Sequence, residues 1–166
     1  MSVDRSLLLR RTPLWLERHD APTFAAASRR PQVLVVEDDP VQALLITLML
    51  RHHGIDAALV TDGAQAIEAV QRGGYAMVLM DYLMPVVNGI EATRRIRAWE
   101  AEQHRPRTPI VAVTASVMRG ECAAYLAAGM DGVIHKPFSA GELAEALARH
   151  GVVVAPAAPL VHGAVS

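Results

Sequence analysis

Acidic, hydroxyl and ammonium side chains follow four of the apolar runs in this 166-residue chain. Glu37 and Asp38 follow "QVLVV" (32–36), Asp81 follows "AMVLM" (76–80), Thr114 follows "PIVAV" (109–113), and Lys136 follows "DGVIH" (131–135). A lone carboxylate at the end of a buried run is costly, because burial removes its hydration. If the four runs end side by side, three carboxylates, a hydroxyl and an ammonium group share one crevice.

Such a group of carboxylates needs positive charge. Two of them 4 Å apart repel by about 4 kcal/mol at an effective dielectric near 20, so the site should either raise a pKa or hold a metal. The ligands are all oxygens and are too few to surround an ion completely. They therefore favour Mg²⁺, which keeps several of its waters, and disfavour Zn²⁺ or a Ca²⁺-binding loop. Phosphoryl oxygens could complete that shell, with Lys136 and Thr114 binding the same group. This pattern is typical of a site that places phosphate on a carboxylate.

The elements that position these residues alternate regularly. The four runs and "DAALV" (56–60) are short, mostly apolar and bounded by turn formers or charges, which predicts strands buried on both faces. The segments between these runs place apolar residues at the spacing of a helix. One example is the apolar stripe formed by Val41, Leu44, Leu45, Leu48 and Met49. Asp39 before Pro40 predicts a helix N-cap, and "DGAQ" (62–65) and "SAGE" (139–142) have the form of capping boxes. Five strands and five helices predict a parallel α/β sheet with a ligand site at its carboxyl edge.

Charge divides the chain into three parts. Residues 1–30 hold six arginines against three acids, residues 31–150 carry an excess of acids, and the last sixteen residues contain no Asp, Glu, Lys or Arg. We therefore predict a folded domain over 31–150, since one domain of ordinary size fits that length. Residues 1–30 are predicted to be a flexible or partner-docking extension, and 151–166 a flexible Ala/Pro/Val-rich tail.

Composition argues against several classes of protein. The net charge of −1 gives no basic footprint for nucleic acid, and no apolar window approaches the roughly 18 residues of a membrane span. The single cysteine, Cys122, cannot form an internal disulfide, which fits the reducing cytoplasm. The basic segment "RRIRAW" (94–99) is interpreted as a solvated helix face in preference to a docking patch.

Four motifs carry a family resemblance. "VLVVEDDP", "VLMDYLMPVVNG", "PIVAVTAS" and "GMDGVIHKPF", in this order, resemble the receiver domain of two-component response regulators and hybrid histidine kinases. The resemblance covers about residues 31–150. It implies the flavodoxin-like, doubly wound sheet of five parallel strands in the order 2-1-3-4-5, with five helices.

The resemblance also assigns roles to individual residues. It makes Asp81 the phosphoacceptor, Thr114 the switch hydroxyl and Lys136 the cation that pairs with the phosphoryl group. It implies a Mg²⁺ held by Glu37, Asp38, Asp81 and the backbone carbonyl of Leu83, and a Lys136–Pro137 peptide bond that is often cis. The chain departs from the family at Val133, where receivers commonly place an aromatic residue that turns inward during switching.

The function expected from these features is phosphoryl transfer in signalling. A histidine kinase or a histidine phosphotransfer protein would donate the phosphoryl group to Asp81, and the phosphorylated form would bind an unidentified downstream protein. The chain would catalyse only its own phosphorylation and dephosphorylation. With sixteen residues after 150, we expect a stand-alone regulator or a relay shuttle without an output domain.

Two alternatives remain open from the sequence. Val133 is compatible with an adaptor on the receiver fold that works without phosphorylation. A phosphohydrolase that forms an aspartyl-phosphate is less favoured, because Leu83 occupies the position at which such enzymes carry a second acid.

Overall fold

The computed structural model describes residues 31–116 and 119–153; the predicted extension (1–30) and residues 154–166 of the predicted tail lie outside this part. The elements are β1 (Gln32–Val36), α1 (Pro40–His52), β2 (Asp56–Val60), α2 (Gly63–Arg72), β3 (Met77–Asp81), α3 (Gly89–Glu102), β4 (Ile110–Thr114), α4 (Arg119–Ala127), β5 (Gly132–His135) and α5 (Ala140–Arg149). Within these described ranges, no helix is both long enough and apolar enough to cross a bilayer.

All five strands form one parallel sheet in the order β2-β1-β3-β4-β5, which confirms the predicted topology. The register places Val36 beside Met80, Asp81 beside Val113, and Thr114 beside His135. The carboxyl ends of β1, β3, β4 and β5 therefore meet at one edge of the sheet, with the polar residues of interest at that edge.

Helices cover both faces of the sheet. Alternate residues of β1 enter opposite cores: Val33 and Val35 pack with side chains of α1 and α5, whereas Leu34 and Val36 pack with those of α2, α3 and α4. Every residue of β3 and β4 is buried. Burial on both faces explains why these strands are continuous apolar runs without the alternation of a half-exposed strand.

The strand boundaries differ slightly from the prediction. β1 and β2 have the predicted limits, whereas β3 and β4 each begin and end one residue later. Asp81 and Thr114 are thus the last residues of their strands, and both take part in strand pairing. Pairing with the neighbouring strand holds the backbone of both residues in place, so their side chains leave the sheet edge from a fixed position.

The apolar stripe predicted on α1 does not face the core. Val41, Leu44, Leu45 and Leu48 are between 53% and 73% exposed, and we call these four residues the α1 surface. The buried face consists of Ala43, Ile46 and Leu50, with Met49 partly buried beside it. Both sets of residues have helical spacing. Periodicity alone therefore could not decide which face packs against the sheet.

The predicted caps are mostly confirmed. The Asp39 carboxylate accepts hydrogen bonds from the backbone N–H groups of Val41 and Gln42, and a full capping box joins Ser139 and Glu142. At the start of α2, the Asp62 carboxylate accepts from the backbone N–H of Gln65. The side-chain Oε1 of Gln65 accepts from the backbone N–H of Thr61 and not from that of Asp62, so no full capping box forms. These caps end the loops that lie around the carboxyl edge of the sheet.

Candidate functional site

The sheet edge brings the predicted site residues together in one crevice. Its lining includes Glu37, Asp38, Asp81, Thr114 and Lys136. The backbone N–H of Glu37 donates to the carbonyl of Val60, and that of Lys136 donates to the carbonyl of Thr114, each continuing a strand pair beyond its end. The backbone of the residues that follow β1 and β5 is therefore also bonded to the neighbouring strand.

Three carboxylates form the centre of this crevice. One oxygen of each of Glu37, Asp38 and Asp81 lies within 4.8 Å of the others. Glu37 and Asp81 are 2% and 8% exposed, whereas Asp38 is exposed at the rim. Carboxylate oxygens that converge on a point open to solvent on one side suit Mg²⁺, which keeps several waters and takes few protein ligands. The donor set therefore fits the ion that the sequence predicted.

Lys136 supplies the positive charge within the crevice. Its Nζ donates to Glu37 Oε2 at 2.7 Å and lies 3.4 Å from Asp81 Oδ1. One ammonium group faces three carboxylates, so negative charge remains in excess. An excess of this kind attracts a second cation.

The ionisation of Asp81 is disfavoured by its surroundings. Burial, followed by the negative charge of Glu37, raises the pKa of Asp81, while Lys136 acts in the opposite direction. The raised pKa is one of the two outcomes that the sequence predicted for clustered carboxylates. A bound cation would reverse the effect, because positive charge favours the carboxylate.

Two further predicted residues flank this centre. The peptide bond between Lys136 and Pro137 is cis, as the resemblance implied. Leu83 lines the same crevice, and its side chain points to solvent. The proposed role of its backbone carbonyl as a metal ligand stays a prediction.

The sequence did not predict that Tyr125 contacts the site. Its hydroxyl lies 3.3 Å from Thr114 Oγ1, and Thr114 Oγ1 also accepts from the backbone N–H of Ser116 at 3.1 Å. Tyr125 lies eleven residues after Thr114 in the sequence, on α4, so no short motif links the two residues. A buried tyrosine needs a partner for its hydroxyl, and that requirement is the signal that could have identified it.

Comparisons with known proteins agree with the geometry. The family model described as "Response regulator receiver domain" matches residues 33–148. The sensor protein GacS of Pseudomonas syringae pv. syringae is 43% identical over 119 residues, covering 72% of this chain and 13% of GacS. This chain thus spans a small part of that relative's length.

Two solved structures resemble this chain over most of their own length. One is the receiver domain of sensor histidine kinase PA1611 from Pseudomonas aeruginosa, solved with a magnesium ion coordinated in its active site cleft. It is 41% identical to this chain with a TM-score of 0.66, and the match covers 73% of this chain and 97% of that one. In a complex of the yeast phosphotransfer protein Ypd1 with the receiver domain of Ssk1, a matched chain is 29% identical with a TM-score of 0.70, covering 74% of this chain and 89% of that one. The chain therefore belongs to the response regulator receiver family of two-component signalling systems.

Proposed function

We propose that Asp81 accepts a phosphoryl group from a phosphohistidine donor and that this reaction switches the protein's binding surface. The observation that carries the proposal is the convergence of Glu37, Asp38 and Asp81 within 4.8 Å, beside the ammonium group of Lys136. The chain would modify only itself, since the group that accepts the phosphoryl is one of its own side chains.

In the proposed reaction, an oxygen of the Asp81 carboxylate attacks phosphorus. A new O–P bond forms, the N–P bond of the donor breaks, and its electron pair returns to the imidazole, which takes up a proton. Asp81 must be ionised to attack, and its raised pKa opposes ionisation. Lys136 favours the charged form, so this residue contributes before the phosphoryl group arrives.

Glu37, Asp38 and Asp81 would hold the metal, with the carbonyl of Leu83 as a further ligand. A bound Mg²⁺ supplies positive charge that neutralises the phosphoryl oxygens. With that charge balanced, Lys136 and the Thr114 hydroxyl would bind the transferred group. Both residues lie on the lining of the same crevice, which supports this assignment.

The partner that we propose is a histidine kinase or a histidine phosphotransfer protein. Leu45 belongs both to the α1 surface and to the lining of the crevice, so exposed apolar side chains continue directly from the site. A donor must bring its phosphohistidine to Asp81, and a protein that docks there would cover the α1 surface. The Ypd1 complex with a similar receiver supports a partner of this class. We place the reaction in the cytoplasm, where the free thiol of Cys122 is stable.

Phosphoramidate with Mg²⁺ tests the proposal, because its P–N bond reproduces the bond that breaks in phosphohistidine. We expect a label that is stable in acid and labile in base, on the peptide that contains residue 81, and no label on Asp81→Asn. A label that persists in Asp81→Asn, or none on the wild-type chain, would overturn the proposal. Release of phosphate from many equivalents of a phosphate ester would instead support the hydrolase alternative.

A further inference from the structure

Tyr125 anchors helix α4 to the core. Of the α4 residues whose side chains the structure describes, Tyr125 alone is buried, and it is 0% exposed. Its ring packs edge-on against that of Tyr82, with centroids 5.2 Å apart, and Tyr82 directly follows Asp81. A change that moves the Tyr125 side chain therefore acts on the position of α4.

The Tyr125 hydroxyl depends on the Thr114 hydroxyl. The two oxygens are 3.3 Å apart, and within residues 31–116 and 119–153 this is the one hydrogen bond that the Tyr125 hydroxyl makes. Burial raises the pKa of the Tyr125 phenol, so the group stays protonated at neutral pH and needs a partner.

Movement of Thr114 toward a phosphoryl group on Asp81 would break this hydrogen bond. The loss of this hydrogen bond destabilises that arrangement, because a buried hydroxyl without a partner is costly. The arrangement relaxes when Tyr125 moves, and α4 moves with it. The state of Thr114 and the position of α4 are thus coupled through two hydroxyl groups.

We propose that Tyr125 is a positioning residue that holds Thr114 back in the unphosphorylated protein and transmits its movement to α4. The inference rests on the proposed function, since it assigns a regulation to the same site. Val133 does not compete for this role: it lies on β5, packs partly buried in the core that contains Tyr125, and has no polar side-chain atom.

Binding of beryllofluoride with Mg²⁺ to the full chain tests this proposal. We expect Tyr125→Phe to bind it about five-fold more tightly, equivalent to about 1 kcal/mol, because no hydrogen bond opposes the movement of Thr114. Amide NMR shifts of residues 121–127 on binding should lose most of their change in the same variant. Tyr82→Phe is the matched control, since it alters the other ring of the pair and should behave as the wild type.

A double-mutant cycle separates this role from simple packing. In a Thr114→Ala background, Tyr125→Phe should no longer alter beryllofluoride affinity, whereas in Thr114→Ser the effect should persist. Equal affinity and equal α4 shifts in the wild type and Tyr125→Phe would overturn the inference and leave the proposed function intact. An effect of Tyr125→Phe that persists in Thr114→Ala would also overturn it. Failure of the wild-type chain to bind beryllofluoride would overturn both.

Discussion

The ammonium group of Lys136 lies closer to Glu37 than to Asp81, at 2.7 Å against 3.4 Å. In the unphosphorylated protein this cation therefore neutralises the more deeply buried carboxylate first. A phosphoryl group on Asp81 competes with Glu37 for the same ammonium group. The exchange becomes favourable only if other positive charge reaches Glu37, and a Mg²⁺ held by Glu37, Asp38 and Asp81 would supply that charge.

Replacing Lys136 tests this pairing. We expect Lys136→Met to lower the free energy of unfolding by about 3 kcal/mol in the absence of metal, since Glu37 is left buried without a counterion. Urea unfolding at neutral pH measures the change. Saturating Mg²⁺ should restore part of the loss, because the ion replaces the missing charge.

Lys136→Arg is the matched control and should lose less stability, because it retains the positive charge. A loss below about 1 kcal/mol in Lys136→Met, the value of an exposed ion pair, would contradict the role of Lys136 as the counterion of Glu37.

Asp81→Asn should stabilise the metal-free protein. The pKa of Asp81 in the folded protein lies above its ordinary value of 3.8, so its ionised form destabilises the fold at neutral pH. That penalty disappears as the pH falls through the raised pKa, because the folded state then binds the proton. The stability difference between Asp81→Asn and the wild type should therefore be largest near pH 7 and shrink toward pH 4.

Urea midpoints across this pH range measure the difference, with Asp38→Asn, at an exposed position, as the control for the metal-free measurements only. Mg²⁺ should reverse the order by stabilising the wild type more than Asp81→Asn. A wild-type protein that is the more stable of the two at pH 7 without metal would count against a raised pKa at Asp81.

Donor docking at the α1 surface predicts a selective defect. Leu45→Ser should slow phosphoryl transfer from a phosphorylated histidine phosphotransfer protein about ten-fold, the effect of losing one central apolar contact. Labelling by acetyl phosphate, which needs no docking surface, should be unchanged. Leu59→Ser is the control, because Leu59 is an exposed leucine of β2 that does not line the crevice. Equal slowing by both variants would argue against docking at α1.

Close packing at the start of α3 predicts an effect of Gly89→Ala. A Cβ at residue 89 would collide with the backbone carbonyl of Asp81, so α3 or the end of β3 must shift. We expect a loss of about 2 kcal/mol in stability and weaker Mg²⁺ binding. Gly120→Ala is the control, because among the described residues no atom outside the backbone of its own helix and its two chain neighbours lies within 4 Å of the added Cβ. Gly89→Ala with the stability of the wild type would contradict this packing.

The strands and the site could be predicted because both follow from local patterns. Strands buried on two faces are continuous apolar runs, and parallel strands deliver their last residues to one edge. Each polar residue after such a run therefore had a predictable position, and Glu37, Asp81 and Lys136 lie together as a result.

The faces of helices were harder to predict. Helix α1 has apolar residues on two sides. The side that packs against the sheet is the one that contains Ala43, a smaller residue than the leucines of the α1 surface. The segment 94–99 was interpreted as a solvated face, yet Arg97 is largely buried and pairs with Glu100 and Asp131. Arg97 and Asp131 are far apart in the sequence, and so are Thr114 and Tyr125. No local sequence pattern could therefore have predicted either contact.

The most direct test of the central claim is the intact mass of the protein after incubation with acetyl phosphate and Mg²⁺. The wild-type chain should gain the mass of one phosphoryl group, whereas Asp81→Asn, or the wild type with the metal chelated, should gain none. Lys136→Arg should be labelled more slowly than the wild type, since a planar guanidinium fits the site of a compact ammonium group poorly. An unmodified wild-type chain, or a phosphoryl group on Asp81→Asn, would contradict the claim that Asp81 is the phosphoacceptor.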